Sequence, residues 1–157
     1  MLILALESSA KAASVALCRD GVLIAQSQQC SGLTHSCTLL PMAEQMLKNT
    51  DTRLADVDAI AVARGPGSFT GLRVGVTTAK VMAQALRIHF VGIGTLDLVA
   101  YPLRHTRRDV VAVVDARRRE VFWARYRTVP GGLERVGEEA VDPPHEVVAE
   151  LEAAGVD

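Results

Sequence analysis

The chain of 157 residues has no CxxC pair, no surplus of either charge and no apolar run of membrane-spanning length, and each shortage narrows what it can be. Cys18, Cys30 and Cys37 are odd in number, which argues against a disulfide framework or a zinc site and fits a reducing cytoplasm. Lysine and arginine total 17 against 18 acids, a formal charge of -1. No global field therefore draws the protein onto nucleic acid or an anionic membrane, and any RNA role must be local or borrowed from a partner. The apolar opening Met1 to Leu6 lacks a basic leader and meets Glu7 at once, so it reads as a buried strand and not as a signal peptide. Charges or helix breakers interrupt every other stretch before the roughly 18 to 20 apolar residues a membrane helix needs, so a soluble, cytoplasmic protein with no membrane partner is expected. What the chain does have is a 49% hydrophobic composition, ample for a sizeable core.

Apolar runs predict three strands, Leu2 to Ser8, Ala12 to Arg19 and Val22 to Gln28, with Asp20-Gly21 as a hairpin signal. From about Thr34 to Asn49, apolar residues recur at spacings of three and four, the mark of an amphipathic helix that either starts near Leu40 or is kinked at Pro41. Leu40, Ala43 and Leu47 make one stripe on it, and Leu39, Met42 and Met46 another. Two stripes imply either two neighbours, one of them a partner subunit, or a helix buried on both sides. Val57 to Ala63 is the next strand, and Gly71 to Leu86 a helix whose Gly75, Ala79 and Ala83 form a small-residue packing face. Phe90 to Gly94 is a short strand, and Thr95 can cap a helix running to about Tyr101.

Val110 to Asp115 and Val121 to Thr128 then repeat the opening of the chain, and Pro144 to Ala154 reads as a last helix. A three-strand meander followed by helix-separated strands, and then repeated, is the order of the ribonuclease-H-like half-domain of the actin, sugar-kinase and Hsp70 (ASKHA) group. The predicted class is a duplicated α/β fold, with residues 1–105 as a first lobe and 106–157 as the start of an incomplete second one, so that the chain is read as part of a longer protein.

In that fold, nucleotide phosphates sit near carboxylates at the ends of the first strands, where Glu7 and Asp115 stand. Either they hold a metal-bound nucleotide, with Ser8 and Ser9 donating to phosphate, or they are strand-end carboxylates accepting backbone N–H bonds; the second is the commoner arrangement. The turn from Gly65 to Arg73 (GPGSFTGLR) lacks the lysine of a Walker loop and does not fit GxGxxG. Its N–H groups, around Gly65, Gly67, Ser68, Thr70 and Gly71, could hold phosphate at a helix start flanked by Arg64 and Arg73. The alternative is a sharp reversal with Ser68 or Thr70 capping the helix. His35 would need a second histidine at position 39 to put two imidazoles on one helix face, and Leu39 stands there, so no metal site and no cofactor are expected. The basic runs Arg104 to Arg108 and Arg117 to Arg119 are either RNA contacts or solvated loops.

Leu2 to Ser9, His35 to Pro41 (HSCTLLP), the GPGSFTGLR string and Val114 to Arg117 with Glu120 to Trp123 together resemble the bacterial TsaB family, also called YeaZ, over essentially the whole chain. The resemblance implies a non-catalytic subunit of the machinery that installs N6-threonylcarbamoyl on adenosine 37 of tRNA. Its implied partners are the paralogous transferase TsaD, whose metal-binding helix bears HxxxH, and the ATPase TsaE. A homodimer is implied when the subunit is alone, and tRNA is met through the complex. The implied subunit surface maps onto His35, Leu39, Leu40, Met42, Ala43, Met46 and Leu47 of one helix, and onto Leu72, Arg73, Val76, Thr77, Ala79, Lys80 and Ala83 of the other. A phosphate contact within the complex would fall to Glu7, Ser8 and the glycine turn. The competing reading is an enzyme, a nucleotide-dependent phosphotransferase or glycoprotease-like peptidase, using Glu7, Asp115 and that turn.

Overall fold

The computed structural model describes residues 1–30 and 34–156. The chain packs as two compact units, Met1–Ile93 and Gly94–Asp157. The first opens with strands β1 (Leu2–Glu7), β2 (Ala13–Arg19) and β3 (Val22–Gln29), an antiparallel meander. Asp20 and Gly21 both have positive φ, 50° and 81°, the backbone that a tight hairpin between right-twisted strands requires. Helix α1 (His35–Asn49) follows and runs through Pro41, so the helix starts five residues before the point near Leu40 that the sequence allowed. After a short 3-10 turn at Leu54–Asp56 come β4 (Ala59–Ala63), α2 (Phe69–Leu86) and β5 (His89–Ile93).

The sheet order β3-β2-β1-β4-β5, with β4 parallel to both β1 and β5, is the mixed arrangement of the predicted fold. Leu2, Leu4 and Leu6 alternate along β1 and are all buried, as a strand with one covered face demands. They meet Leu39, Ala43, Met46 and Leu47 of α1 and Ala79 and Ala83 of α2, so both helices cover the same face in one core.

The second unit begins with α3 (Thr95–Ala100), which packs against β6 (Val110–Arg117) and β7 (Glu120–Val129). Strand β8 (Gly132–Asp142) completes an antiparallel β6-β7-β8 sheet, and α4 (Pro144–Ala153) follows. The sequence reading missed β8, and the cause is local. Leu133 and Val136 stand three apart, and Gly137, with φ 81°, lies where the register then slips between Val136 and Ala140, so no period of two runs along the strand. With β8 present, this unit repeats the strand–strand–strand–helix order of β1, β2, β3 and α1.

Polar side chains tie this second sheet together. The Trp123 indole N–H donates to Asp142 Oδ2 (2.8 Å), Arg125 pairs with Asp109 (2.6 Å), and the Tyr126 hydroxyl donates to Asp97 Oδ1 (2.8 Å). Burial, and next the Asp97 carboxylate, push the Tyr126 phenol well above its ordinary value. Among the described residues no helix is long and apolar enough to cross a membrane.

Candidate functional site

The end of β1 and the start of α2 lie in direct contact, and the glycines permit it. A Cβ on Gly67 would stand 2.6 Å from the Ser9 carbonyl oxygen, one on Gly71 2.0 Å from the Ser8 carbonyl oxygen, and one on Gly75 2.1 Å from Ser8 Oγ. No side chain fits at such distances. Hydrogen bonds close the contact. The Ser68 N–H donates to the Ser9 carbonyl (2.7 Å), the Ser8 hydroxyl to the Gly71 carbonyl (2.9 Å), and the Gly71 N–H to Ser68 Oγ (3.3 Å). Ser68 is thus the N-cap of α2.

The same bonds bear on the idea of a phosphate cradle. The N–H groups of Ser68, Gly71 and Leu72 already have acceptors inside the chain, and Ser8 is fully buried with its hydroxyl turned inward. Glu7 accepts the N–H of Ser9, and Asp115 accepts the N–H of Arg117 at 2.8 Å. Near the end of the first strand of each unit, a carboxylate thus accepts the N–H two residues on.

His35, at the start of α1, makes a hydrogen bond from Nε2 to the Ala10 carbonyl oxygen (2.8 Å), and its ring edge lies 2.8 Å from where a Gly71 Cβ would be. The start of α1, the end of β1 and the start of α2 thus meet at one point. The position one turn beyond His35 is Leu39, only 1% exposed, under which the core begins.

Beside this junction α1 and α2 leave a groove of about 420 Å³. Leu39 and Val74 lie along it, with Leu40, Thr70, Arg73 and Thr77 among the surrounding residues. Leu40 is 45% exposed and Phe69 is 74% exposed, and the Arg73 guanidinium sits 5.6 Å above the Phe69 ring.

The residues expected on a subunit surface divide sharply. Leu40, Arg73, Thr77 and Lys80 are exposed, and His35, Leu72 and Val76 are half-buried. Leu39, Met42, Ala43, Met46 and Leu47 are buried, and so are Ala79 and Ala83. The second, methionine-containing stripe of α1 is therefore not open to a partner. Apart from the exposed Leu40, both stripes face the protein's own sheet and α2, because a helix lying between a sheet and another helix needs apolar residues over a wide arc. The small-residue face of α2 is likewise closed, pressed onto Ser8 and the core. Sequence reasoning missed Ser36, Val74 and Thr78 at the groove. Counting three and four residues on from Thr70, away from the glycine face, would have found Val74, Thr77 and Thr78.

A sequence profile described as "TsaD: tRNA N6-adenosine threonylcarbamoyltransferase" matches residues 28–155. The chain is 38% identical over 135 residues to the "tRNA threonylcarbamoyladenosine biosynthesis protein TsaB" of Escherichia coli K12, covering 85% of this chain and 58% of that protein. It is 35% identical to the protein of the same description in Bacillus subtilis 168, covering 87% and 59%. The chain thus spans less than two thirds of the curated relatives it matches. Among solved structures, "YeaZ from Pseudomonas aeruginosa" superposes with a TM-score of 0.83 at 35% identity, over 91% of this chain and 68% of that one.

Proposed function

The chain belongs to the TsaB (YeaZ) family, and from that premise we propose that it is a non-catalytic partner subunit in the cytoplasmic complex that installs N6-threonylcarbamoyl on adenosine 37 of tRNA. Its partners are a TsaD-type transferase and a TsaE-type ATPase, and it pairs with itself when alone. The observation that carries this reading is the α1–α2 groove, where Leu40 and Val74 lie open between two helices above the buried Leu39, with Thr70, Arg73 and Thr77 around them. A groove of this kind takes the helices of another chain. Because α3 packs against β6 and β7, we set the boundary between the lobes after Ile93 and not at residue 105, and the docking helices both lie in the first.

Two observations support a non-catalytic role. Position 39, where a transferase-like HxxxH would carry its second imidazole, is a core leucine. Glu7 and the glycine turn, the parts a nucleotide enzyme would use, bond to the chain's own backbone.

The test is complex formation with the TsaD-type transferase from the same source, read by size-exclusion chromatography and titration. Leu40→Glu with Thr77→Arg alters only exposed positions, so folding stability should change by no more than about 0.5 kcal/mol. Affinity for the transferase should fall at least about tenfold. Met46→Glu and Ala79→Arg do not serve, since both would bury a charge in the core. Undiminished binding by the double variant would sink the docking assignment.

A further inference from the structure

In the second unit the loop after α3 and the turn between β7 and β8 enclose a cavity of about 360 Å³ lined by Tyr101, Arg104, His105, Arg107, Thr128 and Gly131 among others. We infer that this cavity holds a phosphodiester of the RNA substrate, with Arg104 and Arg107 as its ligands. The inference rests on the tRNA-modification reading for the identity of the RNA only.

Three observations converge on it. No acidic residue lines the cavity, and among the described residues Arg104, His105 and Arg107 form no ion pair. The positive charge there is uncompensated, unlike that of Arg125, which Asp109 neutralises nearby. Arg104 is held in place before any ligand arrives. Its guanidinium carbon lies 4.3 Å from the Tyr101 ring centroid, and Nη1 donates to the Tyr101 carbonyl at 3.3 Å, leaving further N–H donors for a phosphate.

Finally, Tyr101 is 58% exposed at the cavity. A basic pocket beside an exposed aromatic ring is the arrangement that takes a backbone phosphate and stacks a neighbouring base, whereas a free phosphate has no use for the ring. The loop itself is fixed by turns, since Arg104 and Thr106 donate their N–H groups to the Tyr101 and Leu103 carbonyls (3.1 and 2.9 Å).

The experiment is fluorescence anisotropy with an unmodified tRNA transcript reading an ANN codon, across a salt series. The chain is measured alone and with saturating TsaD-type transferase. Each phosphate contact contributes roughly 0.7 to 0.9 to the slope of log affinity against log salt, so Arg104→Gln/Arg107→Gln should flatten that slope by about 1.5 and weaken binding roughly tenfold to thirtyfold near 0.1 M salt. Arg107→Gln alone leaves the Tyr101–Arg104 stack intact and should give about half the slope change, which separates lost contact from a disturbed loop. Arg118→Gln, at the far end of β6 and about 26 Å away, should change the slope by less than half as much as Arg107→Gln does.

Unchanged slopes in both settings overturn the inference, as does an absence of tRNA binding by the unaltered chain in both. Competition by millimolar pyrophosphate with an unchanged tRNA slope in the double variant would make the cavity a small-anion site and overturn the RNA assignment. If the transferase fails to associate at all, the proposed function falls, and the arm with the chain alone still reads this cavity.

Discussion

Replacing Gly75 with alanine probes the contact between β1 and α2. Gly75 is helical, and in a helix alanine is worth about 1 kcal/mol over glycine, so the change would stabilise the protein if there were room. The new Cβ would instead stand 2.1 Å from Ser8 Oγ, far inside the roughly 3.3 Å at which carbon and oxygen usually meet. Ser8 is fully buried, so its hydroxyl has no solvent to move into. Overpacking of this kind costs about 1 to 3 kcal/mol, and displacing the hydroxyl also breaks its bond to the Gly71 carbonyl, about 1 kcal/mol more. The balance for Gly75→Ala is a net loss of about 1 to 3 kcal/mol.

Ser8→Gly alone loses the same hydrogen bond and gains backbone freedom in the unfolded chain, about 1 to 2 kcal/mol in all. In the double variant the obstructing oxygen is gone, so the losses do not add, and the alanine regains its helical advantage. Ser8→Gly/Gly75→Ala should be at least as stable as Ser8→Gly, a coupling of about 1 to 3 kcal/mol. Gly71→Ala is the contrast. Its Cβ meets the Ser8 carbonyl oxygen at 2.0 Å, which no side-chain change removes, so Ser8→Gly should not rescue it. Urea unfolding followed by far-ultraviolet circular dichroism measures the unaltered protein, the three single variants and the two double variants. A Gly75→Ala variant with a raised midpoint, or one whose loss persists undiminished beside Ser8→Gly, refutes the reasoning.

Two further expectations concern the second unit. Because burial and Asp97 raise the Tyr126 phenol, its contribution to stability is complete below about pH 10 and is lost as the unfolded chain ionises above that. Tyr126→Phe should cost about 1 kcal/mol at neutral pH and flatten the alkaline loss, and an alkaline limb as steep as that of the unaltered protein would exclude Tyr126 as its source. Arg117, Arg118 and Arg119 carry φ of 65°, 53° and 68°, three successive residues in the left-handed region, where asparagine is better tolerated than arginine. Arg118→Asn should raise stability by about 0.5 to 1 kcal/mol in thermal melts, and a fall in the melting temperature would contradict the turn geometry.

The elements were largely legible because they rest on local periodicity. Leu2, Leu4 and Leu6 alternate, Asp20-Gly21 marks a tight turn, and the four-residue spacing of Gly75, Ala79 and Ala83 marks a close-packed helix face. Strand β8 escaped because its apolar residues Leu133, Val136 and Ala140 fall three and four apart, with the left-handed Gly137 in the irregular stretch. Of the candidate site, the string GPGSFTGLR and the helix carrying His35 were visible, and so was the family they point to. The division of α1 into a buried face and a free one was not.

By itself, then, the sequence determined which residues share a strand or helix face and where the chain must turn, since those follow from neighbours a few positions away. Only the tertiary structure decided what covers each face. The methionine stripe of α1 faces its own sheet, Ser8 turns its hydroxyl to a carbonyl 63 residues away, and Arg104 and Arg107 share a cavity with Thr128 while Arg125 finds Asp109. Such coverage depends on contacts between segments far apart in the chain, and no local pattern encodes them.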